Sequence, residues 1–169
     1  MVGPSGTRWE NATGPLETTM LGERFQLTSS IDSKGRLALP ARLRTQMAEA
    51  KVDELVLTCV DGGVRAFTPE DFATRIEGPY ADADPFDPEA QAYFYAVLAD
   101  AETCKVDGQG RIRIPIRLRE QAGLVKEVRV LSILRWLEIW NPSNFAAVQA
   151  QSRQDYRRNR SQRPVAKEG

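Results

Sequence analysis

The sequence contains no histidine. That removes the commonest general base, the Ser–His and Cys–His nucleophile pairs, and most zinc sites. Cysteine is nearly absent too. Cys59 and Cys104 stand alone in apolar or mixed segments, which predicts small buried hydrophobes rather than a disulfide. No apolar run approaches the roughly 20 residues that span a bilayer, and the N-terminus lacks a basic-then-apolar signal pattern, so a cytoplasmic protein with no membrane partner is expected. There is no paired-carboxylate constellation and no phosphate-binding glycine loop. Nothing therefore supports an enzyme, a metal or a cofactor. Net charge is missing as well, because 23 basic and 23 acidic side chains cancel over 169 residues.

The charges are not evenly spread. Acidic residues crowd the middle, from Glu70 to Glu102, while Lys34, Arg36, Arg42 and Arg44 cluster early and Arg153, Arg157, Arg158, Arg160, Arg163 and Lys167 fill the C-terminal end. A neutral total can hide a basic face.

The chain is organised around a stretch that occurs twice. Ile31-Asp-Ser-Lys-Gly-Arg-Leu-Ala-Leu-Pro-Ala-Arg-Leu-Arg44 returns 75 residues later as Val106-Asp-Gly-Gln-Gly-Arg-Ile-Arg-Ile-Pro-Ile-Arg-Leu-Arg119. Such self-similarity marks a duplicated supersecondary unit. In each copy Asp caps a tight turn and Gly supplies a positive φ. Leu37/Leu39 and Ile112/Ile114 alternate as a half-buried strand does. Pro40 and Pro115 end that strand and introduce a helix.

Around the motif, residues 21–30 read as an entering strand, 41–50 as a helix, and 54–60 with 64–67 as a hairpin closed by Asp61-Gly62-Gly63. Thr68-Pro69-Glu70-Asp71 reads as a helix start. Val128–Ser132, Leu137–Trp140 and Asn141–Phe145 repeat this plan at an offset of 73. Each half is strand, turn, strand, helix, hairpin, helix, too short to bury its own faces, so two halves sharing one core are expected. The predicted boundaries are a disordered extension over 1–19, a first repeat over 20–78, an acidic linker with a helix over 79–102, a second repeat over 103–150, and a basic, disordered tail over 151–169.

The two turns, with Glu138-Ile-Trp140 and Ala122-Gly-Leu-Val-Lys-Glu-Val128, resemble the MraZ family of bacterial regulators of the division and cell wall gene cluster. The resemblance runs from about Met20 to the last helix; the stretch before Met20 departs from the family pattern. It implies mixed α/β content with a β-barrel core: an AbrB-like, double-split, swapped-hairpin barrel formed by two tandem pseudo-symmetric repeats, with flanking helices. It also implies assembly into rings, and repression through sequence-specific binding to short repeated elements in double-stranded promoter DNA, at the nucleoid; a ring of like-oriented subunits is expected to prefer direct repeats.

By itself an Asp-x-x-Gly-Arg turn is explained by an Asp–Arg ion pair that locks it. The resemblance and the added cations shift Lys34 and Arg36 towards DNA, Arg36 to a guanine edge and Lys34 to a phosphate. Arg42 and Arg44, near a helix start where the dipole disfavours cations, point to phosphate or an acidic neighbour, with a solvated helix face as the alternative. Arg111 joins the DNA-binding candidates, but its turn has Gln109 in place of a second cation, so it is expected to serve assembly or stability more than DNA choice. Asp32, Gly35, Asp107 and Gly110 are expected to be structural. An AbrB-like antitoxin or protein-binding scaffold is the alternative, although such antitoxins usually carry one copy of the unit.

Overall fold

The computed structural model describes residues 24–162. The expected extension over 1–19 and the end of the tail, 163–169, lie outside them. The first repeat contains β1 (Phe25–Ser30), β2 (Arg36–Ala38), helix α1 (Ala41–Glu49), β3 (Glu54–Val60) and β4 (Gly63–Phe67), then the short α2 (Pro69–Asp71). The second contains β5 (Glu102–Lys105), β6 (Arg111–Arg113), α4 (Ile116–Gln121), β7 (Glu127–Ile133), β8 (Trp136–Trp140) and α5 (Pro142–Gln162). Between them α3 (Pro88–Tyr93) lies in the linker.

Six strands form one antiparallel sheet in the order β1-β7-β8-β4-β3-β5. The order is a palindrome once each strand is replaced by its repeat-mate: β1 and β5 at the edges, β7 and β3 inside them, β8 and β4 at the centre. Each repeat therefore lends an edge strand to the other's hairpin. At the centre Arg65 pairs with Glu138, its own counterpart 73 residues on. A separate ribbon joins β2 to β6, and its central pair, Leu37 with Ile112, are also counterparts, 75 apart. One pseudo-twofold relation thus governs both sheets.

Burial follows from these positions. β1 alternates half-buried and exposed, as an edge strand should. β3 is buried at five consecutive residues, because its neighbours and the linker helix cover both faces. Leu37, Leu39, Leu43, Leu55 and Leu57 from the first repeat share one cluster with Ile112, Ile114, Leu118, Val128 and Val130 from the second. Cys59 and Cys104 are free thiols buried in that cluster, as expected.

Helix starts follow the sequence. Thr68 accepts a hydrogen bond from the Asp71 N–H at 3.0 Å. Pro40 and Pro115 occupy the residue just before the first helical one. The linker is more ordered than a loop: Tyr80 stacks on Tyr93 at 4.0 Å, and the buried Thr58 hydroxyl donates to the Val97 carbonyl. After α2 and α3 the helices widen into π-turns at Phe72–Glu77 and Phe94–Leu98.

The expected disorder of 151–169 is overturned over 151–162, where α5 continues without a break. Asn141 caps this helix by accepting from Ser143 N–H at 2.9 Å and Asn144 N–H at 3.1 Å. Along it Arg158 meets Asp155 at 2.7 Å and Gln151 reaches the same carboxylate at 3.2 Å. A capped start, helix-compatible spacing of opposite charges, and no Gly or Pro before Pro164 let a polar helix run on without a core to pack against.

Candidate nucleic-acid interface

The two duplicated turns adopt the same local structure. In the first, Asp32 Oδ1 accepts from the N–H groups of Lys34 and Arg36, each at 2.9 Å, and Oδ2 accepts from Arg36 Nε at 2.7 Å. Gly35 donates to the Asp32 carbonyl at 2.9 Å and holds φ at +79°. In the second, Asp107 Oδ1 accepts from Gln109 and Arg111 N–H, Oδ2 accepts from Arg111 Nε at 2.9 Å, and Gly110 sits at φ +73°. Three donors converge on each carboxylate. The Arg36 N–H leads in holding the Asp32 carboxyl at about 2, below its ordinary 3.8; partial desolvation opposes it and the guanidinium adds to it. The Asp107 carboxyl is lowered by the matching groups, led by the Arg111 N–H. Asp32 and Asp107 lock these turns, and Gly35 and Gly110 supply their positive φ.

Each turn is covered by an arginine from the opposite repeat. A Cβ built on Gly35 would lie 2.6 Å from Arg119 Cζ, and one on Gly110 would lie 2.0 Å from Arg44 Cδ. Arg119 Nε also donates to the Ile114 carbonyl at 3.0 Å. The backbone crosses over in the same way, with Leu39 N–H bonded to the Gly110 carbonyl and Ile114 N–H to the Gly35 carbonyl, both at 2.9 Å. Arg44, expected to face phosphate or an acid, packs against the backbone of the second turn and lines one depression with Asp53 and Asp107. The reason is the crossover, which sequence spacing within one repeat does not report. Arg42, two residues earlier on α1, is exposed.

The crossover sets both turns beside the β2/β6 ribbon. Leu37 and Ile112 face the core, so Arg36, Ala38, Arg111 and Arg113 take the outer face. Lys34, Arg36, Lys105, Arg111 and Arg113 line a shallow depression of about 320 Å³ whose one carboxylate, Asp107, is already engaged by Arg111. Arg113 Nε donates to the Lys34 carbonyl at 3.0 Å, tying the second repeat's strand to the first repeat's turn. Of the expected residues, Lys34, Arg36 and Arg111 come together here, while Arg42 and Arg44 lie outside this lining on α1. Sequence reasoning left Lys105 and Arg113 out of the site, although their place next to the motif was a signal. Among the described residues no cluster of acids and cysteines is arranged to hold a metal, and no helix is long and apolar enough to cross a membrane.

Residues 97–167 match a family model described as "MraZ protein, putative antitoxin-like". The transcriptional regulator MraZ of Syntrophobacter fumaroxidans is 36% identical over 124 residues, covering 73% of this chain and 82% of that protein. The chain belongs to the MraZ family. MraZ of Thermomicrobium roseum is 38% identical over 122 residues, 72% of this chain and 83% of the relative. MraZ of Corynebacterium glutamicum is 35% identical over 125 residues, 74% and 85%. All three are named transcriptional regulators, and MraZ is a family of regulators rather than enzymes.

Proposed function

We propose that this member of the MraZ family is a DNA-binding transcriptional repressor acting in the cytoplasm, at the nucleoid, on direct repeats in promoters of the division and cell wall gene cluster. One observation carries the reading: two Asp–Gly–Arg turns flank a single two-stranded ribbon whose outer face is basic. An antiparallel ribbon of this width fits the major groove of B-DNA. A guanidinium held at Nε keeps its terminal nitrogens for a bidentate contact, so Arg36 and Arg111 are pre-aimed by their aspartates to grip base edges. Lys34 supplies a point charge for phosphate. Arg42 adds a second phosphate contact, and Arg44 props the second turn.

The exchanged edge strands and crossed backbone support closure of the sheet and ribbon as a swapped-hairpin, double-split barrel. Two unlike repeat faces suit head-to-tail contacts that close a ring, and like-oriented subunits would read repeats of one polarity. Light scattering checks the ring; a strict monomer at micromolar concentration counts against it.

Arg36→Ala is expected to weaken binding by about 1–3 kcal/mol and relax sequence preference, whereas Lys34→Ala weakens all sequences alike and makes the salt slope shallower by about one. Gel shifts on promoter and scrambled duplexes decide it. If a folded, assembled Arg36→Ala protein binds promoter DNA as tightly as the parent, the role of the first turn is wrong. A second reading, antitoxin or protein-binding scaffold, is favoured by the wording of the family description; failure of the parent to shift any duplex would bring it forward.

A further inference from the structure

The pseudo-twofold relation makes a position-by-position comparison of the basic face possible. Most charged pairs match across it: Asp32 with Asp107, Arg36 with Arg111, Arg42 with Arg117, Arg44 with Arg119. Three do not. Lys34 faces a counterpart Gln109, Lys105 a counterpart Ser30, and Arg113 a counterpart Ala38. All three exposed cations fall on the same side, around the first turn, where they share one depression with Arg36 and Arg111. The matching depression on the other side of the dyad would have Gln109, Ser30 and Ala38 at those places.

This placement crosses repeats. Lys34 comes from the first copy, Lys105 and Arg113 from the second. Arg113 stands opposite Arg36 in the ribbon and donates Nε to the Lys34 carbonyl. One of its five donors is thereby fixed, which orients a planar fork that still has its terminal nitrogens to offer. Lys105, exposed at the end of the edge strand β5, sits where a flexible ammonium suits phosphate.

We propose that Arg113 and Lys105 complete the DNA contact of the first turn, Arg113 reading a base edge beside Arg36 and Lys105 gripping a backbone phosphate. The reading head is then composite, one turn from the first repeat finished by a strand of the second. Its charge is one-sided, so each chain meets its DNA element in one orientation. The inference rests on the DNA-binding reading above and adds two residues to it.

The test uses the full chain and duplexes that it enriches from a random-sequence library, with scrambled duplexes beside them. Arg113→Gln keeps an amide to serve the Lys34 carbonyl but loses the charged fork. It is expected to bind the enriched duplex about tenfold more weakly, with little change on scrambled DNA. Lys105→Ser, which installs the counterpart residue, weakens both duplexes alike and makes the salt slope shallower by about one. Circular dichroism melts matching the parent verify folding. A merely structural Arg113 would lower the melting temperature or weaken both duplexes equally. Unchanged discrimination in a folded Arg113→Gln protein overturns the proposal while leaving DNA binding intact. If the parent itself retains no duplex at low salt, the DNA-binding reading falls, and the composite head falls with it.

Discussion

At the scale of single residues, the turns depend on a carboxylate and a glycine that act together. Asp32 is held at about 2 in the folded chain, led by the Arg36 N–H. A carboxyl with a depressed folded pKa stabilises the fold above its unfolded value, near 3.9, and that contribution disappears as pH falls through the folded one. The first turn is therefore expected to loosen between about pH 4 and pH 2 and to be insensitive above that window. Carbon-13 NMR of the Asp32 carboxyl checks this; a midpoint near 4 would contradict the bonding described. The glycines separate in the same way. Gly110→Ala would press a Cβ onto Arg44 Cδ at φ +73°, whereas nothing lies within 4 Å of a Cβ on Gly108. Urea melts should show the first substitution destabilising by about 1–3 kcal/mol and the second within about 0.5 kcal/mol of the parent. Equal effects would refute the close cover by Arg44.

At the scale of elements, the centre of the sheet carries a polar network. Glu138, 6% exposed, accepts from Trp136 Nε1 at 2.9 Å and Trp140 Nε1 at 2.8 Å. Arg65 Nε approaches the same carboxylate at 3.1 Å, a charge contact whose direction misses hydrogen-bond geometry. Arg65 also lies over the Trp136 ring, 5.6 Å from its centroid. Glu138→Ala leaves two indole N–H groups without their acceptor and takes from half-buried Arg65 its nearer carboxylate, leaving it Asp61 at 3.8 Å. It should cost about 2–3 kcal/mol in urea melts, and removing Arg65 as well should recover part of the loss. The β3–β4 hairpin, the Thr68 cap and the repeated turns were legible in sequence because each is set by residues within a few positions of one another. The cover of Gly35 by Arg119 and of Gly110 by Arg44 was not, because periodicity says which face a residue occupies and not which repeat lies against it. The continuation of α5 over 151–162 escaped because Arg-rich polarity resembles disorder unless the spacing of charges around Asp155 is weighed. Arg113 and Lys105 were visible as residues; their one-sidedness emerges once the dyad fixes which positions correspond.

At the scale of the whole molecule, β1 completes the hairpin of the second repeat and β5 that of the first, around one shared cluster. Neither half contains its own sheet edge. Residues 24–78 and 103–162, produced separately, should each lack cooperative melting and near-ultraviolet dichroism, and equimolar mixing should restore both. A cooperative transition in either piece alone would show that the halves are independent. The same strand exchange could be achieved by two identical polypeptides, but then one codon would write both members of every pair, and an Arg at the place of Arg113 would force an Arg at the place of Ala38. Covalent duplication releases that constraint. Each turn has its own stretch of gene, so selection can alter one side of the head without touching the other, and two sides related by a twofold rotation become free to differ.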